Sequence, residues 1–242
     1  MSAAHRFRPA DGLGGMLTAG LALNLMLTLV SAVALFRELV LLERFRRGDA
    51  VLPGAVVDAI DRSDLIGDIG SWLFLATAFV WLIWQHRAHA NLWAAGVPRL
   101  AFTPGWAVGW WFVPFANLVK PFQTVREVWK ASSGNDVWEE PPTWPVIGWW
   151  WGTWVVGAAA GIAVGLAAAT RSNQLTSVDW MIRLNQLGLV LVLPSIVTTI
   201  LAIAIVRSVD RRQSRLAGRV TVPSIDVPPR PDTGGWMPGS AL

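Results

Sequence analysis

The chain has 242 residues, 53% of them apolar and only 15% charged, with a mean hydropathy of +0.45. A soluble domain carries roughly 25% charged residues, so this composition excludes an ordinary water-soluble fold and asks for hydrocarbon as solvent. The absence of cysteine excludes disulfides, thiolate nucleophiles and cysteine-bound metals. The net charge of +4 sits in connectors beside apolar runs, where it sets orientation and meets anionic lipid; no nucleic-acid partner is expected.

A membrane span needs about 20 apolar residues to cross a hydrocarbon layer of roughly 30 Å. Residues 1–12 read as a short polar N-terminus. The first span is predicted over Leu13 to Phe36 and ends at Arg37. The second runs from Leu65 to Trp84, with Ser63 as its N-cap and Asp64 in the acid-favouring first turn.

Between Leu100 and Val119 the chain is again uncharged, but Pro104, Gly105, Gly109, Pro114 and Asn117 interrupt it. Broken backbone in hydrocarbon has to be satisfied by protein or by a wet cavity, so this stretch reads either as a re-entrant or interfacial segment or as a kinked fifth span. Pro114 removes a donor, and Asn117 is the expected partner for the carbonyls it frees. From Pro121 the spacing of Phe122, Val125 and Trp129 predicts an amphipathic helix lying in the membrane plane; the preferred reading is a surface connector anchored to lipid, and the alternative has Arg126 and Lys130 hold a lipid phosphate.

The third span is Val146 to Thr170. In it Gly157, Gly161 and Gly165 recur every four residues, a spacing that brings backbones together within the chain or across a dimer. The fourth is Leu187 to Val206, kinked at Pro194. Residues 13–206 thus form one membrane domain, and 207–242 a basic, then proline-rich tail without fixed structure. With four spans and the N-terminus inside, 13 Lys and Arg lie inside and 7 outside; five spans with the N-terminus outside give 14 and 6. Either count puts the C-terminus in the cytoplasm. The expectation is an all-α, polytopic transmembrane bundle of the cell membrane, four spans preferred and five possible.

His86 and His89 are three apart, but no acid or cysteine close in sequence completes a metal site, and no set of acid, base and nucleophile stands out. No catalytic residue, cofactor or metal is expected. Asn24, Asp68, Asn117 and Asn185 are the polar groups to watch: a solute pathway gathers them around one cavity, whereas a packing protein leaves them scattered.

The residues from Trp106 to Ser132 are more specific than this. Trp111, Phe112, Pro114, Asn117, Leu118 and Pro121 resemble the signature of a bacterial membrane-protein family, domain of unknown function 4328, as do Trp84, Arg87 and Asn91 upstream and, weakly, Arg212 and Gln213. The resemblance implies membrane residence and a shared architecture and carries no activity. The expected role is a non-enzymatic membrane protein that acts through helix packing or partner binding, with membrane lipids, a second copy or another membrane protein as partners. The alternative is a small-solute or lipid transporter or channel-like component using the segment around Pro114 and Asn117.

Overall fold

The computed structural model describes residues 11–134, 138, 143–170 and 177–220. The expected tail beyond Val220 and the residues before Asp11 lie outside these. Six α-helices follow one another: α1 Asp11–Arg46, α2 Pro53–Ala94, α3 Pro104–Gly109, α4 Lys120–Ala131, α5 Pro145–Thr170 and α6 Val178–Val220, with a 3-10 turn over Ala116–Leu118.

Four of these, α1, α2, α5 and α6, are long and apolar enough to cross a membrane. The five-span option is overturned. α3 has six residues, ~9 Å of helix at 1.5 Å per residue, and cannot cross. The chain enters and leaves the segment between α2 and α4 on the same side.

Three helices run well past their apolar cores. α2 begins at Pro53, so Ser63 is interior and the N-cap is Leu52, which makes no side-chain capping bond. The extension forms because nothing from Pro53 to Asp64 breaks a helix, and Val56 and Ile60 bury against Leu42 of α1 and Ile182 of α6. α6 continues unbroken through Pro194.

The spans stand in the order α2, α1, α6, α5, with α1 packed on both α2 and α6 and α5 packed on α6. The two outer helices meet at one end, where Trp81 of α2 stacks on Trp150 of α5 with ring centroids 5.3 Å apart. That end also receives α3 and α4, and the main core lies there, built from Trp84, Leu92, Val125, Val128, Ile147, Ile205 and Val209. α4 therefore does not lie on lipid as expected. Val125 and Val128 are buried in the bundle, because the face that looks amphipathic in sequence finds a protein partner.

Within this chain, the glycines at close helix approaches include Gly14 and Gly20. A Cβ at Gly14 would overlap the Asp210 carboxylate, and one at Gly20 would lie 3.0 Å from Thr77 Oγ1. Gly157, Gly161 and Gly165 have nothing within 4 Å of that position, so the periodic face of α5 touches no other described helix of this chain.

Candidate functional site: a tryptophan-clamped platform and its basic cleft

The end of the bundle that carries α3 and α4 is organised around Gln85, which is 1% exposed. Its Oε1 accepts from Trp81 Nε1 at 3.1 Å and from Trp111 Nε1 at 2.9 Å. Its Nε2 donates to Thr124 Oγ1 at 2.7 Å and to the Ala107 carbonyl at 3.3 Å. Thr124 in turn donates to the Pro121 carbonyl. One amide thus ties α2 to α3, α4 and the segment between them, and all four of its hydrogen-bonding positions are used.

Other tryptophans clamp the same segment with their indole N–H groups. Trp151 donates to the Leu118 carbonyl at 2.9 Å, Trp138 to Pro98 and Trp93 to Phe102. This corrects the role expected of Asn117, whose amide makes no hydrogen bond among the described residues. The carbonyl after the break is satisfied by Trp151, while Asn117 contributes its backbone N–H to Val113.

Of the family-like residues, Trp111 packs edge-on against Trp151 and Trp154, and Pro121 is buried. Phe112 is 70% exposed and Leu118 50%, and Pro114 is also exposed; these three face away from the core. The upstream pattern meets the downstream one directly. Trp84 donates to Asp210 Oδ1 at 2.9 Å, and Asn91 Nδ2 donates to Gln213 Oε1 at 3.0 Å. Gln213 returns a bond to the Ala88 carbonyl.

His86 and His89 do not converge. His86 is exposed, while His89 is fully buried with Nδ1 3.2 Å from the Gln85 carbonyl and Nε2 3.7 Å from Glu127 Oε1. Glu127 is held by the backbone N–H groups of Ala101 and Phe102, at 2.7 and 3.2 Å, which fixes the loop ahead of α3 onto α4. Among the described residues no three His, Asp or Glu groups assemble as a metal site.

Sequence reasoning missed both Gln85 and Glu127. The available signal for Glu127 was its spacing, three residues after Thr124 and four before Ala131, which puts it on the buried side of α4. Gln85 follows the last tryptophan of an apolar run and gave no such cue.

Outside this hub lies a cleft of about 610 Å³ lined by Lys120, Gln123, Arg126 and Lys130 of α4, Arg99, and the rings of Phe102, Trp106 and Trp110. Glu127 is the one carboxylate among its described lining residues, and it is already committed to the α3 loop. Lys120 Nζ sits over the Phe102 and Trp110 rings, at 5.7 and 5.4 Å from their centroids, and Arg126 lies over Phe122 at 5.9 Å. Cations resting on aromatic rings give this cleft a basic, amphipathic lining.

The four polar residues expected around a pathway stand apart. Asn24 donates to Thr77 Oγ1 at 2.8 Å and to the Gly20 carbonyl, Asn185 donates to Glu38 Oε1 at 2.7 Å, Asp68 is exposed, and Asn117 is half-buried elsewhere.

The family model described as Domain of unknown function (DUF4328) matches residues 47–211, well over half of the chain, and the chain belongs to that family. No curated protein and no solved structure matches it.

Proposed function

We propose that this member of the family is a non-enzymatic protein of the cell membrane that binds an anionic phospholipid headgroup in the cleft between α3 and α4. The observation that carries this reading is the cleft itself, with Lys120 and Arg126 poised on aromatic rings and its carboxylate, Glu127, turned to structural use. The face that bears it is cytoplasmic, supported by the 13 to 7 division of Lys and Arg between the two sides in the four-span reading of the sequence. Anionic lipid is concentrated in that leaflet and attracts basic residues there. The separate placement of Asn24 and Asn185, each bonded to its own partners, favours this over a solute pathway, which needs convergent polar groups.

The test is retention of phosphatidylglycerol by protein transferred from mixed nanodiscs, read by native mass spectrometry. A basic residue near an anionic surface contributes about 1 kcal/mol, so Lys120→Gln with Arg126→Gln should lower retention roughly 30-fold. Equal retention by parent and double variant overturns the reading.

A further inference from the structure

A second cluster of cations lies on α6, on the other flank of α4. Arg207, Arg211, Arg212 and Arg215, with Ser208 and Trp144, line a cleft of about 420 Å³ that has no carboxylate among its described lining residues. Arg207, Arg211 and Arg215 repeat at i, i+4 and i+8, so they form one stripe ~12 Å long, and like charges at this spacing repel. It begins one residue beyond Val206, the last residue of the expected fourth span.

Two other arginines are ion-paired. At the far end of the bundle Arg44 pairs with Asp49, and Arg46 with Glu43 and Asp179. On α6 the arginines of the stripe form no ion pair among the described residues. The nearest carboxylate in sequence, Asp210, instead accepts from Trp84.

The cleft is also rigidly built. The Arg212 guanidinium carbon lies 3.8 Å from the Trp129 ring centroid, and its Nη1 donates to the Trp129 carbonyl at 3.2 Å. Trp129 stacks on Trp144 and donates to Ser208 Oγ at 3.0 Å. Ser208 is thereby fixed as an acceptor, and its own hydroxyl proton remains uncommitted among the described residues. A fixed guanidinium, a serine hydroxyl and three further guanidiniums around one cleft are the donors that a phosphate group takes, since planar forks bind phosphate oxygens two at a time.

We infer that the α6 arginine cleft is a second anion site, specific for a phosphate group and separate from the cleft between α3 and α4. The phosphate comes either from a lipid headgroup or from a soluble phosphate.

Two double variants at Arg211 and Arg215 separate a shaped site from mere charge. Arg→Lys keeps the charge and the orientation it sets, but removes the forks; Arg→Gln removes both. In native mass spectrometry from phosphatidylglycerol nanodiscs, the parent should retain one more lipid than either variant. Retention at this site should fall on the order of fivefold for Arg→Lys and roughly 30-fold for Arg→Gln. Lysine variants that retain lipid as the parent does would overturn the inference, because diffuse attraction alone would then account for binding. Titration of delipidated protein with inorganic phosphate assigns the source. Saturable quenching of tryptophan emission that the lysine variants lose means soluble phosphate suffices, and no response alongside lipid loss means the lipid supplies it. Because Lys120→Gln with Arg126→Gln touches only the first cleft, failure at either site leaves the other result readable.

Discussion

Replacing Gln85 by leucine tests the hub most directly. The substitution removes the acceptor of two indole N–H groups and leaves no water path to the buried one, on Trp81, which is 7% exposed. An orphaned buried donor costs about 1 to 3 kcal/mol. Trp111 is half-buried and recovers part of its loss from solvent, Thr124 keeps its own bond to Pro121, and the added apolar surface returns about 1 kcal/mol. The net destabilisation should be about 1 to 3 kcal/mol. The chain has 16 tryptophans and no tyrosine, so intrinsic fluorescence follows thermal unfolding in detergent without a label. A cycle with Trp111→Phe isolates the bond. In the Gln85→Leu background the phenylalanine should cost less than in the parent, by about 0.5 kcal/mol or more. A Gln85→Leu variant that melts with the parent, and a cycle without coupling, would refute the assignment of Gln85 as the anchor of the segment.

Two further outcomes follow from the packing. Gly14→Ala should lower the melting temperature, because displacing the Asp210 carboxylate strips the acceptor from buried Trp84, and this loss of about 1 to 3 kcal/mol exceeds the gain in helix propensity of about 1 kcal/mol; Gly161→Leu, which meets open space, should leave monomer stability at or above the parent's, and a drop without any change in oligomeric state would contradict the geometry. For topology, single cysteines at Ala101 and Gly218, both exposed, should react with an impermeant maleimide from one face of the membrane and one at Asp61 from the other, whereas Ala101 and Gly218 on opposite faces would reinstate a fifth span.

The spans were legible because hydrocarbon thickness imposes a length that composition alone satisfies, and Val146 to Thr170 differs from α5 by one residue. Their extensions were not, since whether Pro53 to Asp64 continues a helix depends on Leu42 and Ile182, which are distant in sequence. The amphipathic period of α4 was readable, but period alone does not say whether its apolar side meets lipid or protein. Glycine spacing did not show the close approaches within the chain for a related reason. Gly157, Gly161 and Gly165 are regular, while the close approaches at Gly14 and Gly20 are isolated and depend on Asp210 and Thr77 across the bundle. The site was half visible: the block from Trp111 to Pro121 marked the right region, but the atoms that hold it, on Gln85 and Trp151, belong to other helices.

α2 carries no proline after Pro53 and spans 42 residues without interruption, ~63 Å from tip to tip. Its first turns pack beside Leu42 and Ile182 at one end of the bundle, and its last turns hold Gln85, His89 and Asn91 at the other. A hydrogen-bonded helix transmits twist and axial displacement along its length, with kinks arising at specific breaks. A displacement applied to the Pro53 end therefore meets no proline break inside α2 at which it could be absorbed before it reaches the Gln85 hub.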